Sequence, residues 1–413
     1  MTRQSRPVRG DLGLARGAVL IAVAGAVLVG SISALAIGGT FAGNDAARPL
    51  TAVGGSQQQS SPARPAVVSV ALRTHTGVPW SRPLTLAVAD GTLRSVLAAG
   101  PDGPLPGRMT ATGWTSTGRL FPSTSYRLTS VVVDADGKAT SVTQTATTQP
   151  PVNVLHATLS PNEDVVGVGA PVIVTFDHAV TSSAAKAAVL KRLTVTAVPA
   201  VAGAWRWMDN YEVHYRGPSY WAAGSTVTVN ADLRRLNLPG TGTWGTMTKR
   251  TASFSIGDAV VSTVDVTAHT MTVRRNGAVL KTVNVSTGRD KYPTKGGVHI
   301  VLLKEKKHLY DSSTVGIPIK SPDGYLETLP WSVRISNGGA FVHANPATVR
   351  FQGRLNVSHG CVNLSLADAA WYFDVTRRGD VVDVIHAAVG PNEDDAGMQD
   401  WNMPFSQWKT GNL

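Results

Sequence analysis

Cys361 is the only cysteine among 413 residues, and it stands in the run Ser358-His359-Gly360-Cys361-Val362-Asn363. A second histidine, His343, precedes that run by fourteen intervening residues. A thiol attacks a carbonyl as its thiolate, so it needs either a lowered pKa or a base at its side. Histidine exchanges its proton near neutral pH and can serve by taking the proton in the encounter or by storing it in an ion pair. Attack on an amide leaves an oxyanion that backbone N–H groups can meet, and Gly360 lets a substrate come close to the backbone. Together these residue types could carry acyl transfer through sulfur. Two other readings use the same side chains. A lone cysteine is commonly a small buried hydrophobe. His343, His359 and Cys361 are also three possible zinc ligands, although no fourth ligand falls at a supporting spacing.

The elements that must position these groups read as strands. Val, Thr, Ala, Gly and Pro dominate, and sustained helical patterns are scarce. Around the motif, strands are predicted at 283–286, 298–303, 331–335 and 381–385. Asn276-Gly277 sits between two strand-like runs as a two-residue hairpin turn. A helix over 366–377 follows the motif directly, with Ser365 as its cap. Upstream, residues 67–149 and 150–257 form two blocks of short strands, each read as a β-sandwich. In the second block a helix over 183–193 is predicted from Ala187, Leu190 and Leu193 at helical spacing. Trp205, Trp207, Tyr215 and Trp221 are expected to fill that sandwich. Residues 389–413 form a tail whose Trp401, Phe405 and Trp408 are expected to dock on a neighbouring domain.

Composition narrows the class. A hydrophobic fraction of 43% against 16% charged residues can build cores and excludes wholesale disorder. The net charge of +11 suits an anionic surround. No Lys/Arg run is interleaved with aromatics, so nucleic acid is not the expected partner. Residues 18–38 are uncharged and long enough to cross a membrane, and they follow Arg3, Arg6, Arg9 and Arg16. Residues 1–41 are therefore read as a cytoplasmic stub and single-pass membrane anchor, with a cleaved signal ending near Ala34-Leu35-Ala36 as the alternative. Residues 42–66, rich in Gly, Ser and Gln, read as a flexible tether. Either way the rest of the chain is expected outside the cytoplasmic membrane.

His343 with Ser358-His359-Gly360-Cys361-Val362-Asn363 resembles the catalytic motif of the L,D-transpeptidase (YkuD-type) family. The likeness spans about residues 261–385 and includes Asp311-Ser312-Ser313-Thr314 and Ser321-Pro322-Asp323-Gly324-Tyr325. The anchor, the two β blocks and the Trp-containing tail are similar to actinobacterial members with two immunoglobulin-like domains. The resemblance implies a mainly β chain in which the two sandwiches precede a catalytic domain at 258–388. It implies Cys361 as nucleophile, His343 as base oriented by the carbonyl of Ala344, and His359 lining the site. Backbone N–H groups of His359, Gly360 and Cys361, with the Tyr325 hydroxyl, would hold the oxyanion. Ser358 and Asn363 would brace the loop and contact substrate. Tyr310 stands where some relatives carry methionine in a lid flap, and Ala347 where some carry tryptophan. The implied reaction joins peptidoglycan stem peptides without metal or cofactor, and carbapenem-type β-lactams are the implied covalent inhibitors. Hydrolysis of the stem, attachment of proteins to the wall, or a non-catalytic wall-binding role are the alternatives.

Overall fold

The computed structural model describes residues 69–72, 75–163, 165–392, 395, 397 and 399–411. The proposed membrane anchor and the tether lie outside these residues. Among the described residues no helix is long and apolar enough to cross a membrane.

The chain is mainly β. Its first block pairs two four-stranded sheets. One contains Thr85–Ala89 and Gly113–Ser116, the other Thr92–Gly100, Ser125–Val133 and Ala139–Thr147. Along Ser125–Val133, Tyr126, Leu128, Ser130 and Val132 turn inward at every second position, as a half-buried strand requires. The second block stacks two four-stranded sheets, one built around Val172–Phe176 and Glu212–Arg216, the other around Thr226–Ala231 and Arg250–Ile256, and adds a small three-stranded sheet of Asn237–Leu238, Thr243–Gly245 and Asn153–Leu155. Trp207, Tyr215 and Trp221 are buried in it, and Trp205 packs against them half-buried. Its helix is shorter than the periodicity suggested. It runs Ser183–Leu190 and buries Ala185 and Val189, while Leu193 already opens the strand Leu193–Val198. The spacing of Ala187, Leu190 and Leu193 therefore mixed two elements.

The third block holds a five-stranded sheet and a four-stranded sheet. The first is ordered Ala278–Asn284, Thr270–Arg275, Val260–Asp265, Val381–Ile385, Gly297–Ile300. Asn276 and Gly277 both take positive φ, 50° and 87°, which the tight hairpin between its first two strands needs. The second is ordered Leu303–Asp311, Leu326–Arg334, Phe341–Ala344, Val362–Leu364. Between the sheets lies a core of Val260, Met271, Val333, Val342, Val362 and their neighbours. The helix Leu366–Val375 closes this core with Ala369 and Tyr372. Ser365 caps it by accepting from the Asp368 N–H at 3.1 Å.

The second and third blocks meet at backbone distance. Gly169 N–H donates to the Gly379 carbonyl at 2.8 Å. A Cβ on Gly167 would lie 2.2 Å from the Asp380 nitrogen, so only glycine allows this approach. Ile300 and Val381 share one apolar cluster with Val166 and Tyr215. The tail lies along the same seam. Arg216, itself buried, has Trp401, Phe405 and Trp408 around its guanidinium at 4.9, 5.4 and 4.6 Å. Trp408 donates its indole N–H to the Ala204 carbonyl at 2.9 Å.

Candidate active site

The strands Phe341–Ala344 and Val362–Leu364 run parallel, with His343 opposite Asn363. Side chains alternate along a strand, so burying Val342, Ala344, Val362 and Leu364 in the core turns the other set outward. That other set is Phe341 and His343 on one strand, Asn363 on the next, and Cys361 two residues before Asn363. The apolar alternation is thus what sends a thiol and an imidazole to one face. Cys361, His343, His359, Tyr310, Tyr325, Ser358, Asn363 and Ala347 all line one cleft of about 380 Å³. Ala344 and Gly360 are not among the residues that line it.

His343 is buried, and its Nδ1 lies 2.9 Å from the Ala344 carbonyl. A carbonyl can only accept, so Nδ1 carries the proton and Nε2 keeps its lone pair. Burial lowers the His343 pKa to about 4, opposed in part by the Ala344 bond. Burial also pushes the half-buried Cys361 thiol up to about 11, with Glu327 adding to the rise and a backbone bond at Phe341 opposing it. The thiol points at the Gly339 carbonyl, 3.6 Å away. Both partners are neutral at pH 7, so this resting site holds a thiol beside a base rather than a standing ion pair.

The loop between them is internally braced. The Ser358 hydroxyl donates to the Cys361 carbonyl at 2.6 Å and accepts from the Gly360 N–H at 3.1 Å. Gly360 has φ +115°, a conformation side chains avoid. In this state its N–H is engaged by Ser358. Among the described residues no such bond engages the N–H groups of His359 or Cys361. Thr294 ties the loop from outside, its hydroxyl donating to the Gly360 carbonyl at 2.9 Å.

The Tyr310 hydroxyl donates to Ser332 Oγ at 2.9 Å, so in this state the residue offers the cleft its ring rather than its hydroxyl. That ring lies 4.7 Å from the His343 ring. Tyr325 packs 5.0 Å from His359, and burial lifts its hydroxyl to about 12, keeping it a neutral donor. Asn363 donates to Thr348 Oγ1 at 3.3 Å while its buried Oδ1 has no partner. His308 packs 4.8 Å from Tyr310 and 4.7 Å from Phe341, one layer behind the cleft.

Sequence reasoning missed Arg289. Its guanidinium donates to His359 Nε2 at 2.8 Å and to Asp323 Oδ1 at 2.5 Å. Nε2 is therefore an acceptor and His359 is neutral, its pKa lowered first by burial and then by Arg289. Residues 289 and 359 are seventy apart, and no local pattern announces such a pair. Among the described residues no cluster of His, Cys, Asp or Glu could hold a metal ion.

Comparison with known proteins gives a consistent picture. Residues 259–384 match the L,D-transpeptidase catalytic domain family, and residues 75–237 match a bacterial Ig domain family, a stretch running from the first sandwich into the second. The sequence is 36% identical over 339 residues to L,D-transpeptidase 2 of Mycobacterium tuberculosis (strain CDC 1551 / Oshkosh), covering 81% of this chain and 82% of that one. A solved LD transpeptidase in complex with imipenem is 36% identical, with TM-score 0.49 over 57% of this chain and 100% of its own. L,D-transpeptidase 3 from Mycobacterium tuberculosis, solved with a faropenem-derived adduct, is 34% identical, with TM-score 0.47 over 55% and 96%.

Proposed function

Since the chain belongs to the L,D-transpeptidase family and is an enzyme of that class, we propose that it forms 3→3 peptidoglycan cross-links through a thioester on Cys361. The observation that carries this is the single cleft that Cys361 and His343 both line, with the imidazole held through its Nδ1 by the Ala344 carbonyl.

The acyl donor is a tetrapeptide stem with a diamino acid at its third position. His343 Nε2 takes the thiol proton as sulfur attacks the carbonyl at that residue's L-centre. The developing oxyanion is met by the N–H groups of His359 and Cys361 and by the Tyr325 hydroxyl. Collapse breaks the C–N bond, the imidazolium returns its proton to the departing D-alanine amine, and a thioester remains. The side-chain amine of a second stem then attacks the thioester, gives a proton to His343 and expels the thiolate, which is reprotonated. Asn363, with its unpartnered buried acceptor, can take a bond from a substrate N–H. A carbapenem presents a strained amide to the same sulfur and is expected to stop at the acyl-enzyme.

The uncharged run at 18–38 behind four arginines supports a single-pass anchor that keeps the catalytic part on the wall side of the membrane. In that reading the two sandwiches act as immunoglobulin-like spacers. Intact-mass measurement after imipenem treatment tests the chemistry. One adduct is expected on the native protein and none on Cys361→Ala. Chromatography of products from purified tetrapeptide and an acceptor stem then reads transfer. Absence of both the adduct and the cross-linked product would overturn the thioester mechanism.

A further inference from the structure

Arg289 is the sole arginine or lysine among the described residues lining the Cys361 cleft. Its backbone is fixed to the motif, since Arg289 N–H donates to the Ser358 carbonyl at 3.0 Å and Ser358 N–H to the Thr287 carbonyl at 3.0 Å. Its head is aimed across the cleft mouth, over the Tyr292 ring at 4.9 Å. What it meets there is Asp323, from the Ser321-Pro322-Asp323-Gly324-Tyr325 turn on the opposite wall.

That turn is anchored on its own side, where Tyr325 N–H donates to Ser312 Oγ at 3.0 Å and Ser312 N–H to the Tyr325 carbonyl at 3.0 Å. Its side-chain hydrogen bonds to the motif wall converge on one carboxylate. Asp323 accepts from Arg289, from Lys291 at 2.5 Å and from Tyr292 at 3.1 Å. Both Arg289 and Asp323 keep about a quarter to a third of their side chains in solvent, 30% and 24%. The pair can therefore be exchanged for a ligand without breaking a dry contact.

We propose that Asp323 is an internal stand-in for a substrate carboxylate, and that Arg289 trades it for the carboxylate beside the scissile bond of the acyl donor. The proposal rests on the transpeptidase reading. A donor stem ends in D-alanine, so a carboxylate sits one carbon from the nitrogen that leaves. The β-lactam nitrogen of a carbapenem also bears a carboxylate on its neighbouring carbon, so one receptor serves both. A guanidinium suits this task because its planar fork meets a carboxylate bidentately. The exchange leaves Asp323 with Lys291 and Tyr292, so the guanidinium changes partner while the Asp323 turn stays tied to the motif wall. With Asp323 displaced, His359 keeps its bond to Arg289, and the loop that carries Cys361 stays braced.

The test compares two tetrapeptide donors, one with a free C-terminal carboxylate and one with a C-terminal amide, on the native protein and its variants. Arg289→Gln is expected to raise KM for the acid donor about tenfold to a hundredfold, the loss of one charge-assisted bond, and to affect the amide donor several-fold less, through the lost bond to His359 alone. Arg289→Lys is expected to recover part of the loss, and Asp323→Asn to lower KM for the acid donor several-fold. Equal losses on both donors in Arg289→Gln would reduce Arg289 to a brace for His359 and overturn the proposal. A raised KM for the acid donor in Asp323→Asn would do the same. Failure of the native protein on both donors sinks the parent reading instead. Binding of the acid donor to Cys361→Ala, followed by calorimetry, supplies a readout free of turnover, and preference for the acid over the amide is expected there.

Discussion

His343 and His214 are equally sealed from solvent, at 3% and 1% exposure, yet their rings answer burial in opposite ways. His343 faces a backbone carbonyl and aromatic rings, and loss of water, aided by His308 and only partly opposed by the Ala344 bond, drives it down to about 4. His214 lies between Asp400 at 2.6 Å and Glu212 at 2.8 Å, and these carboxylates overcome the burial cost to lift it to about 10. One ring is left neutral with a free nitrogen and can accept a proton. The other is charged with both nitrogens engaged and can only hold things together, here the tail and the second sandwich. Burial does not decide what a histidine does. Its acidic neighbours do.

The largest expected effect falls on the neutral ring. His343→Gln should slow acylation by imipenem about 10²–10⁴-fold, the usual worth of a positioned base, with the thermal midpoint little changed. Stopped-flow absorbance and calorimetry would read the two. The charged ring should behave in reverse. Asp400→Asn leaves a buried imidazole half-paired and should cost about 3–5 kcal/mol in urea unfolding, while acylation per folded molecule stays close to native. A strong loss of rate with no loss of stability would blur the contrast.

Titration sharpens it further. His214 is raised from 6.5 to about 10, so its contribution to stability is complete below about pH 6.5 and drains away as pH climbs towards 10. His343 is lowered from 6.5 to about 4, so the unfolded chain gains its proton first and stability falls as pH drops from about 6.5 to 4. Asp400→Asn should flatten the alkaline limb and His343→Gln the acid limb. Iodoacetamide labelling of Cys361 should be slow at neutral pH and rise towards about pH 11. A rate already level from pH 5 would show a standing thiolate and contradict the neutral resting site. The smallest effect is expected for Ser358→Ala, about 0.5–1.5 kcal/mol for a lost hydrogen bond, read as a several-fold slower acylation.

The same contrast explains what could be seen in the sequence. Features set by neighbours in the chain were legible: the Asn276-Gly277 hairpin, the Ser365 cap, and the run that carries Cys361. The strand pair behind the motif was also half-written, because Val342, Ala344, Val362 and Leu364 alternate with the polar residues they push into the cleft. The helix near 190 was misread because Leu193 fits a helical period while serving the next strand. Pairings across long stretches of chain left no trace. Asp400 lies 186 residues from His214, and Asp323 lies 34 from Arg289. Nothing local in either sequence window marks one charge for the other, so folding alone reveals which carboxylate each cation keeps.

The lodging of Cys361 against the Gly339 carbonyl has a further consequence for its durability. Peroxide and disulfide exchange act on the thiolate, the same species that acyl transfer requires. A sulfur kept protonated is a poor target for stray oxidants, and this chain has no second cysteine with which to form an internal bridge. On the proposed mechanism, reactivity is released when a guest fills the cleft and the imidazole takes the proton, and a solitary thiol then stays reduced between turnovers.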